Sequence, residues 1–473
     1  MPSRKELTQE IDRGPSGPKI AAFFDVDRTL LAGFSGLAFL KEKFATEGFS
    51  FGDVAKATAG TLRFGAKQTS FPSFLEETST DLVGLTEEEL LEQGERVFAK
   101  HLVTDIYPES RALVEAHQRR GHTVAIVSSA THFQIDALAQ ELGIEHVFCT
   151  ELEFRKGKFT GKVKRPACWQ EGKAVAASTF ADRHDVDLGR SYFYTDSHDD
   201  LALLDIVGKP RLVNPDSDLA RVGSRRGWPV YRFSSRGSPS RREIAGLFGA
   251  LASLGPAAMV GLPAALASGS LRKGADLMLS TFAELTTTMT GVELNVEGEE
   301  HLWSHRPAVF IFNHQSGLDP ILMARLTQRD VVGVAKKELE NAPILGALMK
   351  AAGVVFVDRG DRTKAIEAMR PAVEAIREGL SVVIAPEGTR SATKQLGKFK
   401  KGAFRMAMAA GVPIVPVILK NALDALPRNG MVIRPATVDV LVHPPIPTSE
   451  WKHEDLDRHI AEIEDLYREA LAG

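Results

Sequence analysis

Cysteine is nearly absent from this chain: Cys149 and Cys168 are the only two in 473 residues, too few for a disulfide framework or a cysteine-based metal site. Charge of one sign is missing too. The formal net charge is −3, so the whole chain offers no electrostatic basis for nucleic-acid binding. An apolar central segment is lacking at the amino terminus, so we expect no secretory signal and predict a mobile leader over 1–18. Together these absences favour a protein of the reducing cytoplasm.

The length exceeds what one hydrophobic core organises, which predicts two or more domains. Apolar runs of strand length alternate with helical patterns in both halves, which predicts an α/β fold for each. The polar segment SSRGSPSRR (234–242) is typical of a linker. We therefore expect a first domain over 19–233, a linker region over 234–290 and a second domain over 291–473.

A candidate general base follows the apolar run 308–312, which predicts a buried strand. The segment NHQSGLD places His314 five residues before Asp319, where the strand turns into a helix. A carboxylate on one imidazole nitrogen fixes the tautomer, so the other nitrogen can accept a proton from a hydroxyl. The alternative is a histidine and a helix-capping aspartate in an ordinary strand-to-helix loop.

Three further segments follow in order: GVVFVDR (353–359), APEGTR (385–390) and VPIVPV (412–417). With NHQSGLD they resemble the four sequence blocks of the glycerolipid acyltransferase family, which includes the 1-acylglycerol-3-phosphate acyltransferases. The resemblance covers about 180 residues, and four ordered blocks are far more specific than one motif. It implies that His314 is the general base and that Asp319 orients it.

The resemblance and the planar guanidinium groups of two arginines together predict a site for the substrate phosphate. The residues expected there are Lys336, Arg359, Glu387, Gly388, Thr389 and Arg390. Of these, Glu387 is expected to fix the loop that carries Arg390. The alternatives are surface ion pairs for the arginines and a solvated face for Lys336. A basic strip, Lys394, Lys398, Lys400 and Lys401, follows the loop and would suit anionic lipid headgroups.

Paired aspartates mark the first half. The run IAAFFDVDRTLL predicts a strand that ends at Asp25 and Asp27, whose side chains point to the same side. Ser128 and Asp196 end two later predicted strands, Asp200 follows four residues on, and Lys173 lies near a helix start. Singly, each is explained by a helix cap or a solvated helix face. Jointly, at the carboxyl ends of successive strands, they predict a ligand site.

DVDRT and these later residues resemble the haloacid dehalogenase phosphatase superfamily, in its phosphoserine phosphatase branch. The resemblance implies a Rossmann-like domain in which Asp25 is the nucleophile and Asp27 the general acid/base. Ser128 and Lys173 would hold the phosphoryl oxygens. The metal ligands would be Asp25, Asp27, Asp196 and Asp200, binding Mg²⁺, with Asp27 acting through its backbone carbonyl. Arg28 departs from the family pattern, in which this position is often small, and would change the entrance. Helix-like stretches over 33–106 resemble the helical cap of that branch.

An uncharged apolar run of 28 residues, 244–271, lies between the two halves. It is long enough to span a bilayer, but prolines and glycines divide it into shorter pieces, and basic residues flank both ends. We predict apolar helices that associate with the cytoplasmic face of the membrane, with a buried helical hairpin as the alternative.

These features predict a bifunctional enzyme of phospholipid synthesis. Lysophosphatidic acid would accept an acyl group from acyl-CoA or acyl carrier protein, and the first domain would hydrolyse a phosphomonoester with Mg²⁺. Membrane lipid is an expected partner, nucleic acid is not, and homodimerisation is left open. The alternative is an active acyltransferase whose phosphatase-like domain senses a phosphometabolite or dimerises without catalysis.

Overall fold

The computed structural model describes residues 4–47, 70–341, 346, 349–350, 352–357, 369–391, 393, 395–428 and 430–472. It divides into two compact units, Met1–Ser238 and Pro239–Gly473. Each unit contains a sheet flanked by helices, as expected of two α/β domains.

The first unit is organised by a six-stranded sheet. Its strands are β1 (Ala21–Phe24), β2 (Thr123–Thr131), β3 (His146–Thr150), β6 (Tyr192–Thr195), β7 (Lys209–Val213) and β8 (Val230–Tyr231). Two further strands, β4 (Leu152–Arg155) and β5 (Lys158–Val163), form a separate hairpin. The order is β3-β2-β1-β6-β7-β8, and all five neighbouring pairs are parallel. The carboxyl ends of β2, β1 and β6 therefore lie side by side at one edge of the sheet.

Helices surround this sheet and form the insertion after β1. They are α1 (Arg4–Arg13), α2 (Ser35–Glu47), α3 (Phe71–Thr78), α4 (Glu87–Val97), α5 (Pro108–Arg119), α6 (His132–Leu142), α7 (Glu171–His184), α8 (Leu201–Leu204) and α9 (Ser217–Arg226). In the described part of 33–106 the ordered elements are helices and no strand occurs, as the pattern predicts. The predicted hairpin turn is also present, with Lys156 and Gly157 both left-handed at φ 52° and 75°.

The amino-terminal segment differs from the prediction of a mobile leader. Residues 4–13 form α1, in which Leu7 and Ile11 are buried. Glu10 accepts a hydrogen bond from Arg211 at 2.6 Å. Two apolar side chains at a spacing of four residues are enough to attach one helix face, although the segment is polar overall.

The second unit contains a seven-stranded sheet. Its strands are β9 (Val292–Glu297), β10 (Val309–Phe312), β11 (Val331–Lys336), β12 (Val355–Val357), β13 (Ser381–Ile384), β14 (Ile414–Leu419) and β15 (Ala436–Val442). The order is β12-β11-β13-β10-β14-β15-β9. From β12 to β14 all pairs are parallel, and β15 runs antiparallel to β14. The strands predicted from apolar runs at 292–296, 308–312, 331–335, 354–357, 382–385 and 414–418 agree with β9 to β14 within one residue, whereas β15 was not predicted.

Two apolar cores cover the faces of this sheet, one around Phe310 and Val417 and the other around Ile311 and Phe404. The helices of the unit are α10 (Arg241–Ala252), α11 (Leu254–Ser268), α12 (Leu271–Thr290), α13 (His301–Ser304), α14 (Asp319–Thr327), α15 (Arg370–Arg377), α16 (Gly402–Ala410), α17 (Ala422–Ala425) and α18 (Leu456–Ala472). Opposite sheet faces are covered, as is usual for parallel sheets.

The apolar run predicted between the domains forms α10, α11 and the start of α12. Gly261 and Gly274 allow α11 and α12 to touch, because a Cβ on either glycine would lie 2.7 Å from the other's carbonyl oxygen. Large apolar side chains point outward, with Leu266 and Leu271 85% and 86% exposed. Among the described residues, Arg241–Ser268 is one helical stretch that is long and apolar enough to cross a membrane.

Candidate functional site

One edge of the second sheet collects the residues predicted for acyl transfer. Strands β10, β11 and β13 are parallel neighbours, so the loops after Phe312, Lys336 and Ile384 leave the sheet on the same side. The first of these loops carries His314 and the third carries APEGTR. Two segments that are 70 residues apart in the sequence therefore meet because of sheet topology.

His314 and Asp319 form the predicted pair. The imidazole Nδ1 lies 2.8 Å from Oδ2 of Asp319, whose side chain is completely buried, while His314 is 21% exposed. The same Oδ2 accepts hydrogen bonds from the backbone amides of Gln315 and Ser316, both at 2.8 Å. Burial raises the pKa of Asp319, and the bond from His314 opposes that effect. Nε2 of His314 makes no hydrogen bond to any described residue, so this nitrogen is available to a substrate.

Glu387 ties the two loops together. Its Oε1 accepts a hydrogen bond from the backbone amide of His314 at 2.7 Å, and its Oε2 accepts one from Gly397 at 2.9 Å. In return, the carbonyl of His314 accepts a bond from the amide of Ser391 at 2.7 Å. Burial raises the pKa of Glu387, and the two amides oppose that effect. The backbone on both sides of the histidine side chain is thus fixed from the APEGTR segment.

Cationic side chains lie over the same loops. Nη1 of Arg390 would be 3.3 Å from a Cβ placed on Gly317, so the guanidinium rests against the histidine loop. The stem and ammonium group of Lys400 lie over Gly388, where a Cβ would be 2.9 Å from Nζ. Gly388 has φ 76°, in the left-handed region that favours glycine. Lys336 is exposed at the end of β11, and Arg359 lies outside the described residues.

The first unit brings its predicted residues together at the ends of β1, β2 and β6. Asp25 follows β1, Asp196 follows β6, and Ser128 is buried near the end of β2. Lys173, on the first turn of α7, is buried and donates to Asp25 at 2.8 Å and to Asp200 at 2.9 Å. Gly172 permits this approach, because a Cβ there would lie 2.0 Å from the carbonyl oxygen of Ala167.

The remaining carboxylates of this site have different surroundings. Oδ1 of Asp27 accepts a hydrogen bond from the backbone amide of Ser35 at 2.7 Å, and burial raises its pKa. Burial, to which Asp25 adds, raises the pKa of Asp196 to about 8. Burial likewise raises the pKa of Asp25 to about 7, with Lys173 opposing. The site thus holds more carboxylate than its lysine balances, which is the electrostatic setting that favours a bound cation.

Mg²⁺ fits a smaller ligand set than the four predicted aspartates. Among the described residues, no three His, Cys, Asp or Glu side chains are grouped to hold a metal ion. Mg²⁺ keeps several waters and needs only one or two protein carboxylates, which Asp25 and Asp196 provide from adjacent strands. Asp200 is occupied otherwise, since its Oδ2 accepts bonds from Lys173 and from Thr195, the latter at 2.5 Å. Asp200 is therefore better suited to holding Lys173 than to binding metal.

Sequence reasoning missed three contacts. They are the bond that Glu387 accepts from the backbone amide of His314, the position of Lys400 over Gly388, and an ion pair between Arg28 and Asp196 at 3.2 Å. The first depends on the order of the strands, because neighbouring strands carry both loops. The other two depend on side-chain placement, for which the sequence contains no signal.

Comparison with known proteins gives one family for each unit. A model of the acyltransferase family matches residues 293–420, and a model of haloacid dehalogenase-like hydrolases matches residues 22–205. The chain is 36% identical to a 1-acyl-sn-glycerol-3-phosphate acyltransferase of Limnanthes alba, over 39% of the chain and 65% of the plant protein. The chain thus spans slightly less than two thirds of that relative.

Two further relatives are covered more completely. An uncharacterised acyltransferase of Schizosaccharomyces pombe is 34% identical over 42% of the chain and 72% of its own length. A probable phosphatase of Mycobacterium tuberculosis is 32% identical over 46% of the chain and 76% of its own length. The two regions matched by the family models, 22–205 and 293–420, do not overlap, and each contains the candidate site of its own unit. The chain therefore belongs to both families, joining a haloacid dehalogenase-like hydrolase domain to an acyltransferase domain in one polypeptide.

Proposed function

We propose that this chain transfers an acyl group to the sn-2 hydroxyl of 1-acylglycerol-3-phosphate, giving phosphatidic acid, and that its first domain is a Mg²⁺-dependent phosphomonoesterase. The observation that carries the acyl transfer is the 2.8 Å bond between Nδ1 of the partly exposed His314 and the buried Asp319, which leaves Nε2 as the nitrogen for a substrate hydroxyl. The similarity to 1-acyl-sn-glycerol-3-phosphate acyltransferases supports the choice of acceptor.

In this mechanism, Nε2 of His314 removes the proton of the acceptor hydroxyl while its oxygen attacks the carbonyl carbon of an acyl thioester, from acyl-CoA or acyl carrier protein. The tetrahedral intermediate then breaks its carbon–sulfur bond. The proton on His314 passes to the departing thiolate, which restores the base. Asp319 keeps the imidazole in the required tautomer and stabilises the imidazolium that forms between the two steps.

Arg390 and Lys400 are proposed to bind the acceptor phosphate. Arg390 contacts the histidine loop, and Lys400 has no acidic partner among the described residues, so both retain charge for an anion. The exposed Lys336 is proposed for the same role. So is Arg359, which lies outside the described residues. Electrostatic attraction by several cations would position the acceptor hydroxyl relative to His314.

For the first domain we propose that Asp25 attacks the phosphorus atom and forms an aspartyl-phosphate while the alcohol leaves. Asp27 protonates the leaving oxygen and later activates water, and its raised pKa suits the acid role. Lys173 and Ser128 hold the phosphoryl oxygens. Mg²⁺ bound by Asp25, Asp196 and the carbonyl of Asp27 would supply positive charge that favours the deprotonated carboxylates.

The acyl-transfer proposal is tested by product analysis on the full chain with lysophosphatidic acid, acyl-CoA and Mg²⁺. We expect His314→Ala to lower the formation of phosphatidic acid by about a hundredfold to ten-thousandfold. Replacement of the exposed His305 by alanine is the matched control and should have no effect. Near-normal transfer in His314→Ala would contradict the assignment. Hydrolysis of an aryl phosphate by the same preparation, abolished by EDTA, distinguishes an active phosphatase from a sensing or dimerising domain.

We further propose that the outward apolar side chains of α10 to α12 attach the enzyme to the cytoplasmic face of the membrane. Leu262 and Leu266 are 63% and 85% exposed. The double variant Leu262→Glu, Leu266→Glu should no longer cosediment with anionic liposomes. Ser268→Glu adds charge at an exposed polar position of the same helix and should weaken binding much less. Equal binding by both variants would show that this face does not enter the lipid.

A further inference from the structure

Arg28 is held in an unusual backbone conformation beside the phosphatase site. It has φ 58°, in the left-handed region that disfavours residues with a Cβ. Its backbone amide donates to the carbonyl of Gly33 at 3.2 Å, and the next two amides turn back to Val26. The loop after β1 therefore imposes this conformation, for which glycine or asparagine would be less strained.

The guanidinium group spans two elements of the site. Nη1 lies 3.2 Å from Oδ2 of Asp196, and Nη2 lies 3.5 Å from the backbone carbonyl of Asn214. Asn214 is itself left-handed, at φ 44°, and its side chain is fixed by a bond from the amide of Phe233 at 2.8 Å and a bond to Tyr107 at 3.2 Å. The carbonyl of Asn214 is thus presented to Arg28 by a residue whose side chain is fixed on both sides.

The charges of the site divide into two groups. Asp25 and Asp200 share Lys173, whose side chain is only 4% exposed and bonded to both. Asp196, 8% exposed, has Arg28 as the one cation within ion-pair distance among the described residues. The Arg28 side chain is 39% exposed, so it can leave Asp196 without opening the core, whereas Lys173 cannot.

We propose that Arg28 is the resident counter-ion of the metal site, which neutralises Asp196 while the site is empty and is displaced when a divalent cation binds there. This inference rests on the proposed Mg²⁺ site. No covalent bond changes in the exchange: a guanidinium leaves the carboxylate and a hydrated ion replaces it. Removing the charge of Arg28 therefore removes a competitor, and Mg²⁺ binds more tightly.

A purely structural ion pair predicts something different. Its loss would destabilise the metal-free and the metal-bound protein alike, without improving metal affinity. Displacement instead requires that the stabilising effect of Arg28 be present in chelator and lost in saturating Mg²⁺, because the two cations share one carboxylate. Metal affinity and thermal stability, measured without substrate, separate the two interpretations.

The test titrates MgCl₂ alone into the metal-free full chain by calorimetry at about pH 9, because burial raises the pKa of Asp196 to about 8 and its carboxylate must be charged to pair with either cation. We expect Arg28→Gln to lower the Kd for Mg²⁺ by about threefold to tenfold. Arg28→Asn, which tolerates the left-handed backbone, should behave in the same way and serves if the glutamine variant folds poorly. Arg221→Gln is the matched control, because it removes the same charge from an exposed arginine paired with Asp218 and should leave the Kd unchanged.

Melting in EDTA and in saturating Mg²⁺ gives the second measurement, and the gain on adding Mg²⁺ should be larger in Arg28→Gln than in wild type. An unchanged or higher Kd in both Arg28 variants, with wild type binding Mg²⁺ and Asp196→Asn not binding it, would overturn this inference alone. Equal Mg²⁺ binding by wild type and Asp196→Asn, or none by wild type, would overturn the proposed metal site as well.

Discussion

Asp319→Asn tests how the acyltransferase base is held. Three donors converge on Oδ2 of Asp319: Nδ1 of His314 and the amides of Gln315 and Ser316. The two backbone amides cannot become acceptors, so an asparagine must place its oxygen there. The histidine tautomer is then kept, and Nε2 remains able to accept a proton.

Two costs follow from this geometry. The NH₂ group would occupy the position of Oδ1, which is buried and has no hydrogen-bond partner among the described residues. An unpaired buried donor destabilises the fold by about 1 to 3 kcal/mol. The imidazolium formed during the reaction also loses its carboxylate, which at about 4 Å and an effective dielectric constant near 20 is worth up to about 4 kcal/mol. Allowing about 2 to 4 kcal/mol, kcat should fall about thirtyfold to a thousandfold.

Initial rates at saturating lysophosphatidic acid and acyl-CoA measure kcat, and denaturant unfolding of the full chain measures stability. Asp465→Asn, the same chemical change at a 66% exposed aspartate of α18, is the control and should alter neither. Wild-type activity in Asp319→Asn would show that the carboxylate charge plays no part. Loss as complete as in His314→Ala would show that the amide does not preserve the tautomer.

Lys400→Gln should raise KM for lysophosphatidic acid about tenfold with kcat little changed, whereas the exposed Lys398→Gln should not, and equal effects would indicate general electrostatic attraction. Asp25→Asn should abolish Mg²⁺-dependent aryl phosphatase activity without changing acyl transfer, so a parallel loss of both activities would show that the sites are coupled. In EDTA, stability should fall as pH rises from about 4 to about 8, because Asp25 and Asp196 have folded-state pKa values above those of the unfolded chain and favour the protonated form. Melting curves in saturating Mg²⁺ should show a smaller slope, and an identical slope would argue against metal binding at these carboxylates.

Most strands and both candidate sites could be predicted from local sequence, because buried parallel strands consist of short continuous runs of apolar residues. The segment ATVDVLV of β15 was not among the predicted strands, although its buried residues Val438, Val440 and Val442 alternate with less buried ones, as is typical of a half-buried strand. Helix α1 escaped it because Leu7 and Ile11 are its only buried large apolar side chains among the described positions. For α1, tertiary contacts decide what local composition leaves open.

Contacts between loops lie beyond such reasoning for a different reason. The bond that Glu387 accepts from the backbone amide of His314 requires β10 and β13 to be neighbours, and the pairing of Arg28 with Asp196 requires β1 and β6 to be neighbours. Strand order is set by the whole chain, so residues distant in sequence reveal their partners only in the folded sheet.

Both sites join a reacting side chain to a more deeply buried charged partner. Asp319 is fully buried beneath the partly exposed His314, and Lys173, with Asp200, is more buried than Asp25. A buried charged group is not hydrogen-bonded by bulk water, so it needs hydrogen-bond partners within the protein. Asp319 accepts a further bond from the amide of Gln315, and Lys173 donates a further bond to Asp200, and these bonds fix their positions. The reacting group inherits that rigidity, which catalysis needs for orientation. Substituting the reacting group should therefore mainly lower the rate, whereas deleting its partner should lower both rate and stability, and the comparison of His314→Ala with Asp319→Ala measures this difference directly.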